Sequence, residues 1–119
     1  MTDEQQISRL RDLYAETFDS RDSAAFAQLF ADNGELVVPG GKAFAGHEKL
    51  ARLVASMPEN GSRHIPIDVE VVVEGTAARC RGPYRMEIGE TVQTGIYDDT
   101  FVRTADGWRI ARREIIPEG

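Results

Sequence analysis

Residues 76–117, TAARCRGPYRMEIGETVQTGIYDDTFVRTADGWRIARREIIP, decide the fold. Three extended runs, 76–88, 91–104 and 107–117, are rich in Val, Ile, Thr, Tyr and Phe, and the breaks Gly89-Glu90 and Ala105-Asp106-Gly107 have turn composition. A fourth run, 63–74, precedes them and stops at Glu74-Gly75. Strands joined in sequence by such short turns pair antiparallel, so the second half of the chain reads as a meander.

The first half has a different period. Ile7, Leu10, Leu13, Tyr14, Thr17 and Phe18 follow the three-four spacing of an amphipathic helix, opened by the capping box Thr2-Asp3-Glu4-Gln5. Ser20-Arg21-Asp22-Ser23 breaks it, and Asp22 caps a second helix carrying Phe26, Leu29 and Phe30, which Asp32-Asn33-Gly34 ends. Leu36-Val37-Val38 reads as a short strand stopped by Pro39-Gly40-Gly41. A third helix, Gly46 to Met57, places Leu50, Leu53, Val54 and Met57 on one stripe. Three helices packed on one face of a curved antiparallel sheet make an α+β cone in a single domain over residues 1–119. The wide end of such a cone stays open as a cavity unless side chains fill it.

Composition narrows the function. With 119 residues and 41% apolar content the chain suits one globular core. A net charge of −6 lacks the basic footprint that nucleic acid or an anionic membrane requires. No apolar run is long enough to span a bilayer and no signal-like leader opens the sequence, so a cytoplasmic protein is expected. Cys80, the single cysteine, reads as a small core residue. His47 and His64 lie on different elements without patterned cysteine or acidic partners, so neither a metal nor another cofactor is expected, and His47 reads as exposed.

His64 heads the first long run, beside the predicted cavity, and its imidazole is suited to taking and returning a proton near neutrality. Asp19 ends the first helix and Asp22 competes with it as a partner. Alternation puts Ala78, Cys80, Gly82, Tyr84 and Met86 on one face, which makes Tyr84 and Met86 cavity-lining candidates together with Tyr97. In the first extended run, however, Ile65, Ile67, Val69 and Val71 alternate away from His64. Either the helix-facing side carries His64 and polar residues, or the strand bulges after it.

The element order and the strings Leu13-Tyr14-Ala15, Asp19-Ser20-Arg21-Asp22, Leu29-Phe30-Ala31-Asp32, Arg63-His64-Ile65, Gly95-Ile96-Tyr97 and Asp106-Gly107-Trp108-Arg109-Ile110 resemble the nuclear transport factor 2-like superfamily. Within it the chain is most similar to the polyketide-cyclase-like (SnoaL-like), scytalone-dehydratase-like branch. In scytalone dehydratase, hexachlorocyclohexane dehydrochlorinase and bile-acid dehydratase, an aspartate on the first helix pairs with a histidine at the head of the long strand. Asp19 and His64 match those positions, and Tyr14 matches a helix tyrosine of the same pocket. The resemblance also turns Trp108, Ile110 and Arg112 inward, which adds Arg112, with Phe18 on the helix, to the substrate-binding candidates. Val37-Val38-Pro39 stands where a ketosteroid isomerase would carry its base, and Thr17 where a dehydrochlorinase would carry a lysine.

What the resemblance implies is a cofactor-independent lyase, dehydratase-like, or isomerase acting on a small hydrophobic carbonyl or aromatic compound, in a homodimer. The alternatives are a non-catalytic ligand-binding or association module and a polyketide-type cyclase working through Asp98.

Overall fold

The computed structural model describes residues 1–118. Helix α1, Asp3–Asp19, starts as the sequence predicts: Thr2 accepts from the Gln5 backbone and the Gln5 side chain returns a bond to the Thr2 backbone. Its buried stripe is Ile7, Leu10, Tyr14, Ala15, Thr17 and Phe18. Asp22 caps α2, Ser23–Gln28, by accepting from Ala25 N–H at 3.3 Å. After strands β1, Phe30–Val37, and β2, Ala43–Ala45, helix α3 runs His47–Ser56 with Leu50 and Val54 buried.

The remaining strands are β3, Arg63–Ile65, β4, Val72–Glu74, β5, Ala77–Ile88, β6, Thr91–Thr104, and β7, Gly107–Pro117. The last three match the expected runs, and β5–β6–β7 is the antiparallel meander. The seven-stranded sheet has the order β2-β1-β7-β6-β5-β3, with β4 also on β5, and α1 lies across β7, β3 and β4. The fold is thus an α+β cone of helices on a curved, unclosed sheet.

Three local departures redirect side chains. First, α2 is shorter than expected and β1 begins at Phe30, which pairs parallel with Ile110 of β7, so the sheet is mixed rather than wholly antiparallel. Asp32 and Asn33 sit exposed in a bulge inside β1 instead of closing the helix. Gly34 allows that bulge, because a Cβ there would meet Ile110 O at 2.7 Å.

Second, the run 63–74 is two strands, not one. Ile65 faces Arg85 and Val72 faces Arg79 on the same edge of β5, which leaves one more residue in the 65–72 segment than in the 79–85 segment it spans. Pro66 supplies no ladder donor, and the chain leaves the sheet there. The extra residue reverses parity, so His64 turns to the helix side while Val69, Val71 and Val73 also pack on the core. The bulge resolves the alternation conflict in the sequence.

Third, β7 carries an extra residue opposite Thr100 and Phe101, which pair with Arg112 and Ile110. Trp108 and Ile110 point inward as expected, but beyond the bulge the buried residue is Arg113. Arg112 lies on the outer face, paired with Glu35 at 3.0 Å and Glu114 at 3.2 Å.

Candidate active site and family

The end of α1 meets the start of β3. Asp19 Oδ2 accepts from the backbone N–H of His64 at 2.7 Å, and Asp19 Oδ1 lies 2.6 Å from His64 Nδ1. With a carboxylate at Nδ1 the neutral ring carries its proton there, which leaves Nε2 as the lone-pair nitrogen. Burial pushes the His64 pKa below its ordinary 6.5, and the hydrogen bond and charge of Asp19 only partly oppose the shift. The ring is therefore neutral at neutral pH, the form that can accept a proton.

That shift has a consequence for stability. A histidine whose pKa is lower in the folded state binds protons more readily when unfolded, so its contribution is present above 6.5 and is lost as pH falls through the folded-state value. Urea midpoints should therefore fall more steeply on acidification below 6.5 in the wild type than in a His64→Gln variant. Parallel profiles for the two proteins would contradict the assignment.

His64 borders two spaces. On the inner side is a cavity lined by Tyr14, Tyr84, Tyr97, Arg11 and Arg113, with free space of about 30 Å³, enough for roughly two water molecules. On the outer side an open groove of about 510 Å³ is lined by Asp12, Ala15, Glu16, Asp19, Pro66 and Asp68. Side chains thus fill most of the cone. Tyr84 and Tyr97 stack with centroids 4.6 Å apart, and Gly95, facing Tyr84 across the ladder, makes room because a Cβ there would lie 2.6 Å from the Tyr84 ring.

Tyr14 sits beside the dyad, its ring 5.9 Å from the imidazole in edge geometry. Its hydroxyl is buried without a hydrogen-bond partner among the described residues, and burial pushes its pKa up to about 12, so it stays a proton donor. Tyr14 and Asp19 are five residues apart, yet both reach His64 because they approach it from different sides. Phe18 packs against the imidazole at 4.7 Å without lining the inner cavity. Met86 faces His64 across β3 and β5 and is half-buried, also away from the inner lining.

The sequence reading overlooked a buried ion pair behind these residues. Arg113 Nε and Nη2 each donate to Asp99 at 2.8 Å, with the two side chains 1% and 0% exposed. The Arg113 guanidinium lies 3.8 Å from the Tyr97 ring centroid and 4.3 Å from that of Tyr14. Burial alone would lower the Arg113 pKa, but the charge and hydrogen bonds of Asp99 more than offset it and hold the side chain charged. Arg11 approaches Asp99 at 3.7 Å and donates to Ile67 O at 3.1 Å. Cys80 is buried against the same carboxylate, its pKa pushed up to about 11 by burial and Asp99. Alternation offered a signal for this pair: Tyr97, taken as inward, shares its face with Asp99 and not with Asp98. Asp98 is instead half-exposed and paired with Arg81 at 2.9 Å, outside the cavity.

The Asp22 cap is as expected, and the placement of His47 is not. Asp22 serves as the α2 cap and makes no contact with His64, leaving Asp19 as the partner. His47 is half-buried, its Nε2 2.7 Å from Phe30 O. Among the described residues no group of three or more His, Cys, Asp or Glu side chains is arranged to hold a metal ion, and no helix is long and apolar enough to cross a membrane.

The SnoaL-like domain profile matches residues 1–114. The chain belongs to the SnoaL-like domain family. Solved structures place this SnoaL-like domain in the NTF2-like fold. It is similar to an NTF2-like protein with a cystatin-like fold from Novosphingobium aromaticivorans, at 29% identity and TM-score 0.85, over 94% of this chain and 79% of that one. A candidate dehydratase of the NTF2-like family from Streptomyces avermitilis is 20% identical at TM-score 0.81, over 98% and 96% of the two chains. A candidate scytalone dehydratase from N. aromaticivorans is likewise 20% identical at TM-score 0.81, over 100% and 89%. No functionally curated protein matches the sequence.

Proposed function

We propose that this SnoaL-like domain is a cofactor-independent, dehydratase-like lyase for a small hydrophobic carbonyl compound, with His64 as general base. The observation that carries the reading is the 2.6 Å contact of His64 Nδ1 with Asp19 on a ring whose pKa is held low by burial. Nε2 takes the proton from the carbon next to the carbonyl, and the carbon–hydrogen electron pair moves toward the carbonyl oxygen. Tyr14 donates to the oxygen as negative charge develops there. The enolate then expels the hydroxyl on the neighbouring carbon, which leaves as water with the proton returned by the imidazolium. Asp19 fixes the tautomer and stabilises the imidazolium between the two transfers. The likeness to two candidate dehydratases of the same fold supports this outcome over isomerisation.

The hydrophobic substrate must enter on the inner side of His64, beside Tyr14, Tyr84 and Tyr97, where the rings have to part to admit it, because the carboxylates of Asp12, Glu16, Asp19 and Asp68 line the outer groove. Loss of water from a panel of small β-hydroxy-ketones, followed by the absorbance of the conjugated product, tests the activity. A second reading, a non-catalytic binding or association module, is favoured by the ring-filled inner cavity. It predicts binding of the same compounds without turnover.

A homodimer through the outer face of β5, β6 and β7 is part of the proposal, since that face leaves Ile96, Val102 and Ile116 half-buried. Sedimentation equilibrium at micromolar concentration should give twice the 13.2 kDa chain mass. A monomer there would remove the dimer from the reading.

A further inference from the structure

Arg21 has φ 59°, the one positive φ on a non-glycine residue among the described residues. It follows the α1 cap residue Ser20, where Arg21 N–H bonds Phe18 O at 3.1 Å and Asp22 N–H bonds Thr17 O at 2.9 Å. These paired bonds close a helix through a left-handed residue, a place that favours glycine because a Cβ strains that conformation. The side chain shows why arginine stands there. Nη1 donates to Phe18 O at 2.6 Å, while Nη2 donates to Pro58 O at 2.8 Å and reaches Asn60 Oδ1 at 3.4 Å. Asn60 Oδ1 also accepts from the backbone N–H of buried Ser62 at 3.0 Å, just ahead of Arg63 and His64. One guanidinium therefore joins the end of the helix that carries Asp19 to the loop that delivers His64.

We propose that Arg21 is a positioning residue of the dyad: it clamps loop 58–62 onto the end of α1 and so holds the imidazole against Asp19. Backbone strain concentrated beside a functional pair, and held by contacts that serve the pair, fits such a role. The inference extends the lyase reading by adding the residue that sets its base. Charged and titratable groups around His64 come from every neighbouring element: Arg11, Asp12, Tyr14, Glu16 and Asp19 on α1, Arg21 after it, Asp68 after β3, Tyr84 and Arg85 on β5, Tyr97 on β6, and Arg113 on β7. The Arg21 charge opposes protonation of the ring, in the same direction as burial.

The test is Arg21→Gly, with Arg21→Asn as a second variant, since both residues accept a left-handed backbone and should keep the fold. NMR of the His64 ring nitrogens should show the Nδ1 signal shifting in both variants as its hydrogen bond to Asp19 loosens, and the titration midpoint leaving its wild-type value, since loss of the Arg21 charge raises it and loss of the Asp19 contact lowers it. Arg21→Lys keeps the charge without the forked donors, so it should recover part of the midpoint and not the ring geometry. Turnover of an active β-hydroxy-ketone should fall by on the order of 10-fold to 100-fold in Arg21→Gly, as expected for a misplaced base. A folded Arg21→Gly protein with the wild-type His64 midpoint and ring signals would overturn the inference. The NMR result needs no substrate, so a His64→Ala protein with unchanged turnover would end the lyase reading and leave the Arg21 result standing.

Discussion

Replacing Asp99 by alanine is expected to destabilise the protein by about 3–5 kcal/mol, the loss usual when one partner of a buried ion pair is removed. Asp99 is fully buried and takes both forked donors of Arg113, and Arg11 and Cys80 adjoin it. Without it the Arg113 charge would remain between Tyr14 and Tyr97 with no counter-ion at hand. The cost lies in the stranded charge and not in the net worth of the pair. The double replacement Asp99→Leu with Arg113→Met should therefore recover much of the lost stability, because apolar side chains of similar size need no partner. Urea denaturation of the wild type and both variants makes the comparison. A single variant as stable as the wild type would show that water or another carboxylate reaches Arg113, contrary to its 1% exposure.

The largest expected effect on activity is at His64. His64→Ala should lower turnover of an active β-hydroxy-ketone by roughly 10²- to 10⁴-fold, the range supplied by a positioned general base. Asp19→Asn separates two tasks. The amide oxygen can still accept from the His64 backbone, which preserves the strand start, but the side chain no longer carries charge to balance an imidazolium. Folding should survive and turnover should fall. Asp19→Ala removes the backbone bond as well and should cost a further 1–3 kcal/mol or so of stability through the unpaired N–H. Unchanged turnover in folded His64→Ala would remove the histidine from the chemistry and favour a binding module.

The two enzymatic alternatives separate at the aspartates. A cyclase working through Asp98 needs that carboxylate at the cavity, whereas it pairs with Arg81 on the exposed side of β6. The buried acid of the Asp98-Asp99 pair is the second one, because strand alternation sends adjacent side chains to opposite faces. Tyr97 already marked the inward face, so this assignment was legible in the sequence and was missed.

Local patterns fixed most elements of the fold. The capping box at Thr2, the Asp22 cap, the three-four stripe from Ile7 to Phe18 and the turns at Gly89-Glu90 and Ala105-Asp106-Gly107 all act over a few residues, and their effects are readable from neighbours in the chain. Residue type and position make His64 and Asp19 candidates, and likeness to related sequences pairs them; their contact spans 45 positions and no local rule contains it.

The tertiary structure alone decided which way several side chains face. The bulges after Ile65 and at Ala111 each insert one residue against a neighbouring strand, and a single insertion exchanges the two faces of everything beyond it. That exchange turns His64 inward together with Val69 and Val71, and it puts Arg113 in the cavity where Arg112 was expected. Whether a bulge forms depends on pairing and packing partners distant in sequence, such as β5 for the first and β6 for the second. Period and composition therefore determined the elements of this protein, and long-range register determined the face each element shows to the site.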